Sequence, residues 1–454
     1  MPYEGEFAQH KSLRRIVESE RVNQLLGSYK VHTSLDHATA LKMLSTIQIL
    51  DHEWLPNWVI AIDGSHAEVE VRNGFPGAEA SYLTIASVML NVKKLRELDQ
   101  QRPVNPREFR KTESAESIDC ALPGCNIVYD GESSARDSLR RAIFEVFQTH
   151  RMSSEDGETL LDTYETLLDS KPPDDSDKAQ KCPYEDCPTA CLFERGKGKY
   201  VCPCNLQLPL YSTDALRIHE RMNPIGSNGA IFGEIMQVLE RVWIVHILRT
   251  LELKEWLSSL SRMAIVLDGP LAVFGQPAWI SQSIYRELCR INKVINEYNK
   301  EDLLFIGVEK TGAFVQHFEY LDKDDNGSIG AFPKQTAALI DDAYIKKNII
   351  FSDSKKIYGD ATYFGRKIFY KTKSGARIVV TIPFLNEDQK DTTRAERSQY
   401  SRLADIMSLL DQMVSSRFPN SVIPLVSANA EAAIPLRLGN KVLENLAKQL
   451  VSES

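Results

Sequence analysis

Continuous apolar runs that end in Asp-Gly occur twice along the chain. Residues 58–62 are all apolar and run into Asp63-Gly64, and residues 263–267 are all apolar and run into Asp268-Gly269. Apolar runs that do not alternate with polar residues predict strands buried on both faces. The other predicted strands cover residues 67–71, 82–92, 303–308, 349–351 and 378–382.

Apolar positions at helical spacing predict helices before, between and after these strands. They cover residues 11–48, 134–151, 155–170, 229–256, 282–298, 402–417 and 430–452. Strands that alternate with helices in this way predict an α/β fold with a mixed sheet. The proline- and aspartate-rich stretch at 171–177 predicts an exposed linker in the middle of the chain.

Composition and charge narrow the class of protein. With 454 residues and 43% hydrophobic content, the chain can bury a large core divided among about two or three structural units. Its net charge of −8 provides no overall positive surface for nucleic acid, but it leaves room for an enzyme with a locally basic groove. No apolar stretch reaches transmembrane length and the N-terminus has no signal-peptide core, so we expect a soluble, cytoplasmic protein.

Five of the eight cysteines lie between positions 182 and 204. In a cytoplasmic protein, clustered cysteines indicate metal binding before disulfides. Close groups of thiolates on facing loops suit the tetrahedral coordination of a structural zinc ion, with unliganded thiols as the alternative. The expected ligands are Cys182, Cys187, Cys202 and Cys204, with Cys191 as a substitute, while Cys120 and Cys125 either join them or remain free.

Asp63 and Asp268 are predicted to stand at the ends of buried strands. If the two strands are neighbours, the carboxylates meet at one edge of the sheet and repel each other unless a cation lies between them. Hard divalent ions such as Mg²⁺ and Mn²⁺ take oxygen ligands. The pattern therefore predicts a metal-dependent active site, and the alternative is a simple Asp-Gly turn after each strand.

A third acid is expected from the long helix at 229–256. Glu240 lies on an apolar helix face, where burying a lone carboxylate is costly unless it is paired or bound to metal. Arg241 is expected to point to another face, so an ion pair with Glu240 would need an arginine from elsewhere. Glu252 is separated from Asp268 by only a short stretch of chain and remains a second candidate.

These pieces, in this order, resemble the NurA nucleases. The shared features are the strand with Asp63-Gly64-Ser65 and the hairpin after it, the helical glutamate, and the strand with Asp268-Gly269-Pro270. The strand that ends in Lys310 and the proline-leucine segment at 422–434 are also similar to that family. The resemblance spans residues 58–434 and implies an RNase H-like fold, manganese dependence and partnership with the hexameric HerA-type ATPase.

Three features depart from the family pattern. Pro270 stands where serine is usual, and Asn429 stands where a histidine is common, which puts an imidazole role in metal binding or proton transfer in doubt. Residues 113–221 look like an insertion that carries the cysteines. We therefore expect a nuclease core made of residues 1–112 and 222–454, with a helix pair and zinc-binding cysteines inserted between them.

The resemblance further implies hydrolysis of DNA phosphodiester bonds. Asp63 and Asp268 would hold Mn²⁺ or Mg²⁺ together with Glu240. Glu252 is the alternative third acid, and Lys310 would neutralise the scissile phosphate unless it is an ordinary surface lysine. The expected role is DNA end processing in repair or anti-phage defence, as a homodimer with the ATPase; the chain itself has no Walker-type phosphate loop. The alternative is a non-catalytic, zinc-stabilised adaptor that binds the ATPase without cutting DNA.

Overall fold

The computed structural model describes most of the chain. The described residues are 10–29, 37–50, 52–72, 77–97, 110–152, 157–171, 180–184, 187, 190–191, 193, 196–204, 208–324, 327–415, 420–434, 441–443 and 445. The predicted linker, apart from its first residue, and most of the predicted helix at 430–452 lie outside them.

A mixed β-sheet runs through the centre of the protein. The strands are β1 Ser45–Gln48, β2 Trp58–Arg72, β3 Ala78–Asn91, β4 Glu113–Pro123, β5 Gln180–Lys181, β6 Ala190–Cys191, β7 Lys199–Val201, β8 Pro209–Tyr211, β9 Met263–Asp268, β10 Phe305–Glu309, β11 Thr336–Leu339, β12 Gly365–Lys371 and β13 Arg377–Pro383. Within the described residues the large sheet has nine strands, in the order β1-β11-β12-β13-β10-β9-β2-β3-β4. The short strands β5 to β8 form two small ribbons in the cysteine-rich segment.

The strand directions divide the large sheet into two halves. β2, β3 and β4 form an antiparallel meander. β9 pairs in parallel with β2, and β10 pairs in parallel with β9, so the apolar strands predicted to be buried lie side by side. The remaining strands, from β13 to β1, are antiparallel. This arrangement confirms the α/β fold with a mixed sheet expected from the sequence.

The helices are α1 His10–Glu18, α2 Glu20–Ser28, α3 His37–Lys42, α4 Val92–Glu97, α5 Ala135–Thr149, α6 Leu160–Asp169, α7 Gly229–Leu253, α8 Ile280–Asn299, α9 Ala313–Leu321, α10 Asp342–Ile345, α11 Glu387–Lys390, α12 Leu403–Met413 and α13 Ile423–Ala432. Residues 11–48, predicted to be helical throughout, contain α1 to α3 and also the edge strand β1. Segment 349–351, predicted as a strand, overlaps the π-helical turn Lys346–Ile350. No helix in the described part of the chain combines the length and hydrophobicity needed to cross a membrane.

Helices cover both faces of the sheet. On one face, α5 to α8 pack in a core that includes Ile60 and Ile62 of β2. On the other face, α12 and α13 pack in a core that includes Val59 and Ala61. Alternate residues of β2 therefore enter opposite cores, which confirms the prediction of a strand buried on both faces. The same alternation directs Asp63 towards the face that α13 covers.

The domain boundary predicted at residue 113 does not match the structure. β4 begins at Glu113 and pairs with β3, so it belongs to the large sheet rather than to an insertion. α5 and α6 also share the core of α7, through side chains such as Leu139 and Tyr164. The strand was missed because it is an edge strand with many exposed positions, and its buried apolar side chains are few, among them Ile118 and Leu122.

Candidate active site

Asp63 and Asp268 meet where the parallel strands β2 and β9 stop pairing. The last pair is Ile62 opposite Leu267, so the two aspartates are the next residues on each strand. Asp268 is the final residue of β9, as predicted. β2, however, continues to Arg72 in its pairing with β3. Asp63 therefore lies inside a long strand, and the predicted strand end or turn at this position is wrong.

Lys310 lies between the two carboxylates. Its Nζ is 3.1 Å from Asp268 Oδ1 and 3.8 Å from Asp63 Oδ2. The side chain of Asn429, on α13, donates a 3.0 Å hydrogen bond to the same Oδ2 of Asp63. The structure thus places Lys310 among the acids rather than with ordinary surface lysines. Asn429 lies beside Asp63 at the position where a histidine was expected from the family pattern.

Burial and crowding perturb the ionisation of Asp63. The residue is only 3% exposed. Burial, reinforced by the negative charge of Asp268, raises the pKa of Asp63 to about 6, against the opposing effects of Lys310 and the Asn429 hydrogen bond. Groups perturbed by both burial and a specific charged neighbour are concentrated at functional sites. The two aspartates therefore form an electrostatically unfavourable pair that a bound cation would relieve.

Glu240 approaches the same edge of the sheet from α7. It is 4% exposed, and its carboxylate lies against Gly64, the residue after Asp63. A Cβ on Gly64 would stand 2.6 Å from Glu240 Oε1 and 2.8 Å from Met236 Cγ. Because Gly64 is in an extended strand, it is needed here for space rather than for a turn. The predicted third acid thus packs against the residue that follows Asp63 on β2.

The second Asp-Gly pair has a different local role. Gly269 has a φ of +84°, a left-handed conformation that favours glycine. Its N–H donates a 2.8 Å hydrogen bond to the Val308 carbonyl, so the chain turns away directly after Asp268 while remaining attached to β10. The turn predicted from Asp-Gly is therefore present after Asp268.

Arg241 corrects the expectation that it would point away from the acids. Its Nη1 forms an ion pair with Glu240 Oε2, and its Nη2 donates a 3.2 Å hydrogen bond to the Pro270 carbonyl. Burial lowers the pKa of Arg241 to about 10, and the negative charges of Asp268 and Asp63 oppose that decrease. Adjacent helical residues diverge at Cβ, but a long arginine side chain can curl back to its neighbour. The signal missed in the sequence was a basic residue directly beside a buried acid.

The structure does not bring Glu252 to this site. Its two carboxylate oxygens accept hydrogen bonds of 2.8 and 2.6 Å from Arg290 on α8. On α7 it lies twelve residues beyond Glu240, about 18 Å along the helix axis at 1.5 Å per residue. Glu252 and Asp268 are close in sequence, but β9 lies between them and carries Asp268 at its far end.

Three of the predicted zinc ligands form a compact thiol cluster. The Sγ atoms of Cys182, Cys187 and Cys202 all lie within 4.8 Å of one another. The Sγ of Cys202 is 3.6 Å from each of the other two. Thiolates around a tetrahedral zinc ion, with Zn–S bonds of about 2.3 Å, are about 3.8 Å apart. The spacing of this cluster therefore fits a zinc ion.

The remaining cysteines have different surroundings. Cys204 packs against the cluster, and its thiol interacts with that of Cys202. Burial raises the pKa of Cys202 to about 12, so metal binding would have to displace its proton. The side chain of Cys191 lies outside what the structure describes. Cys120 lies on β4 and Cys125 follows that strand, and neither belongs to the metal-ligand group found among the described residues.

Comparisons with known proteins give the family of the chain. No curated protein sequence matches it. Among solved structures, the NurA nuclease from Sulfolobus solfataricus is similar at 10% sequence identity and a TM-score of 0.36, over 98% of this chain and 99% of that chain. The family model of the NurA domain matches residues 58–434. Because this match spans well over half of its length, the chain belongs to the NurA family of nucleases.

Proposed function

We propose that this chain hydrolyses DNA phosphodiester bonds with Mn²⁺ or Mg²⁺ held by Asp63, Asp268 and Glu240. The observation that carries the proposal is that Asp63 and Asp268 lie side by side where β2 and β9 stop pairing, while Glu240 on α7 packs against Gly64, the next residue of β2. Two carboxylates held this close together repel each other and destabilise the fold, and a bound cation would remove that repulsion. Membership of the NurA family supports nuclease activity as the reaction class.

The donor set fits a hard divalent cation. All three side chains offer carboxylate oxygens, which Mg²⁺ and Mn²⁺ prefer. The absence of a side chain at Gly64 leaves a cradle in which Glu240 Oε1 lies against β2. When bound, such a cation lowers the pKa of a coordinated water and stabilises charge on the phosphoryl and leaving oxygens.

Neighbouring groups would orient the acids and the substrate. Both oxygens of Asp63 are held, Oδ1 by the backbone N–H of Gly64 at 2.9 Å and Oδ2 by the side chain of Asn429 at 3.0 Å. Lys310 faces both aspartates and is placed to bind an oxygen of the scissile phosphate beside them. Charged donors fixed before the substrate arrives stabilise developing charge without reorganisation.

A structural zinc ion in the thiol cluster, completed by Cys204, is part of the same proposal. The cluster is connected to the main fold through Tyr184, whose hydroxyl donates a 2.9 Å hydrogen bond to the Pro209 carbonyl. The ring of Tyr184 also lies 4.6 Å from the buried guanidinium of Arg140. Elemental analysis of the purified protein is expected to find about one zinc ion per chain. A zinc-free, fully folded protein would contradict the assignment.

The proposed partners are DNA, a HerA-type hexameric ATPase and a second copy of the chain. The net charge of −8 supports an enzyme to which a motor delivers DNA, because unaided capture of DNA depends on positive charge. The dimer, the ATPase and a role in end processing, repair or anti-phage defence rest on the family resemblance.

Cleavage of single-stranded DNA with Mn²⁺ or with a chelator tests the catalytic proposal. Asp63→Ala and Asp268→Ala are each expected to reduce Mn²⁺-dependent cleavage to the level of the chelator sample while leaving the circular dichroism spectrum unchanged. Asp119→Ala is the matched control, because this exposed strand acid contacts Thr84 and Ser117 rather than the other acids. Wild-type cleavage by either of the first two variants would refute the site.

A further inference from the structure

Each acid of the proposed metal site already faces a cation supplied by the chain. Lys310 lies between Asp63 and Asp268, and Arg241 is paired with Glu240. Lys310 is partly exposed, so a substrate can reach it from solvent. Arg241 is different because it is only 4% exposed, so it is not an ordinary surface charge in contact with solvent. Its position therefore requires a separate explanation.

The partners of Arg241 differ from those of Arg140, another buried arginine. Arg140 forms ion pairs with Asp137 and Asp214 and donates to a backbone carbonyl, so its donors are well used. Arg241 pairs with Glu240 alone and donates to backbone carbonyls, while its buried Nε has no hydrogen-bond partner among the described residues. A buried donor left unpaired is costly, so the side chain is not arranged for stability alone.

The turn after Asp268 contacts the guanidinium of Arg241. Gly269, which follows Asp268, is in the left-handed region, and a Cβ there would stand 3.5 Å from Arg241 Nη2. The Pro270 carbonyl accepts a hydrogen bond from the same nitrogen. The guanidinium is thus anchored between the helix that carries Glu240 and the turn that follows Asp268. It is placed to act on both acids at once.

We infer that Arg241 is a positioning residue for the metal site, an inference that rests on the proposed function. Arg241 holds the Glu240 carboxylate at the edge of the sheet and supplies part of the positive charge that the acids need before a divalent cation binds. Because like charges repel in a poorly solvated site, Arg241 also weakens the binding of that cation. Removal of the guanidinium leaves the charge of Glu240 unbalanced, so it should tighten cation binding. Turnover should fall, because the Glu240 carboxylate is then no longer held in one orientation.

Direct measurement of Mn²⁺ binding to the full-length chain tests this inference without relying on activity. Arg241→Gln is expected to bind Mn²⁺ about tenfold more tightly than the wild type, by isothermal titration calorimetry or by electron paramagnetic resonance of free Mn²⁺. Its kcat for DNA cleavage is expected to fall. Equal or weaker Mn²⁺ binding by the folded variant would overturn the inference.

Arg249→Gln is the matched control. Arg249 lies on the same helix and pairs with Glu158 and Glu287, away from the acids. Its replacement is expected to lower thermal stability while leaving Mn²⁺ affinity unchanged. Tighter Mn²⁺ binding by this variant as well would show that the effect comes from a loosened α7, which would also overturn the inference.

A measurement on the wild type avoids any dependence on the folding of Arg241→Gln. In protein labelled with ¹⁵N-arginine, addition of Mg²⁺ is expected to shift the side-chain resonance of Arg241, assigned with Arg241→Lys, while that of Arg249 stays in place. An Arg241 resonance that does not respond at saturating Mg²⁺ would contradict the inference. Asp63→Asn distinguishes failure of the proposed metal site from failure of the role of Arg241. If this variant binds Mn²⁺ as tightly as the wild type, the metal site is misplaced and the role of Arg241 is refuted with it.

Discussion

Glu240 and Glu252 lie on the same helix, twelve residues apart, and each pairs with an arginine. Their surroundings nevertheless differ. Glu252 and Arg290 are both partly exposed and form a simple pair of opposite charges, of the kind that contributes little to stability. Glu240 is buried against Gly64, and the negative charges of Asp268 and Asp63 act on its partner Arg241. We expect only the second environment to gain from a bound metal ion.

The residue opposite each glutamate explains the difference. The carboxylate of Glu240 faces Gly64, which has no side chain and lets the acid pack against β2 directly after Asp63. The carboxylate of Glu252 faces Arg290, which satisfies both of its oxygens. The position of each glutamate on the helix does not show which one is the candidate metal ligand. The proposed functional acid is therefore distinguished by the residue opposite it, a glycine that provides no side chain to pair with the carboxylate.

The largest expected effect comes from neutralising the two glutamates in turn. Glu240→Gln keeps the shape of the side chain but removes the charge, so we expect a loss of roughly 100-fold or more in Mn²⁺-dependent DNA cleavage. Glu252→Gln is expected to cleave at the wild-type rate because it lies about 18 Å away along the helix. Initial rates with saturating Mn²⁺ provide the comparison. Equal losses in both variants would mean that the helix, rather than one carboxylate, supports activity.

A smaller effect is expected when a methyl group is added opposite Glu240. In Gly64→Ala the new Cβ would stand 2.6 Å from Glu240 Oε1, so the carboxylate must move away from β2. Because Arg241 still neutralises the displaced carboxylate in this variant, we expect Mn²⁺ affinity and cleavage to fall by about tenfold. Gly27→Ala is the control, because a Cβ at Gly27 meets nothing within 4 Å. Unchanged Mn²⁺ affinity and cleavage in Gly64→Ala would show that Glu240 does not need its present position.

Local patterns in the sequence predicted much of the sheet. The uninterrupted apolar runs at 58–62 and 263–267 identified strands that the structure places side by side and buries on both faces. The mixed α/β class followed from the alternation of strands and helices. The edge strand β4 was not predicted because its exposed face is polar, so only a few buried positions distinguish it from a loop. Its pairing with β3 is a tertiary feature.

The composition of the acid cluster was only partly accessible from the sequence. The sequence shows that Asp63 and Asp268 each follow a buried apolar run, whereas the parallel pairing that brings them together is a tertiary feature. The orientation of Arg241 depends on a long side chain that curls towards its neighbour, which helical geometry at Cβ does not predict. The choice between Glu240 and Glu252 depends on which strand residue lies opposite, and that is determined by packing of α7 on β2.

Two carboxyl groups near the start of α7, those of Glu68 and Glu79, have shifted pKa values although they do not belong to the acid cluster. Burial, followed by a hydrogen bond with Glu68, raises the pKa of Glu79 to about 8. The hydrogen bond from Glu79 lowers the pKa of Glu68, which also accepts a 2.8 Å hydrogen bond from Ser227 Oγ. Glu68 lies five residues beyond Asp63 on β2, about 17 Å at 3.4 Å per residue. A shifted pKa therefore does not identify the active site by itself.

Glu79→Gln is expected to have the smallest effect, and to change stability rather than cleavage. The folded chain keeps a proton on Glu79 that the unfolded chain releases above its ordinary pKa of 4.5, so the free energy of unfolding falls as the pH rises from 4.5 to about 8. Glutamine does not titrate, so the fall in melting temperature between about pH 5 and pH 8 should be smaller in the variant, by about 2 °C. Calorimetry measures this, with Glu97→Gln, at an exposed position of α4, as the control. If Glu79→Gln kept the wild-type pH dependence of stability, the two carboxyl groups would not share a proton. If instead the variant lost DNA cleavage, the active site would extend to the start of α7.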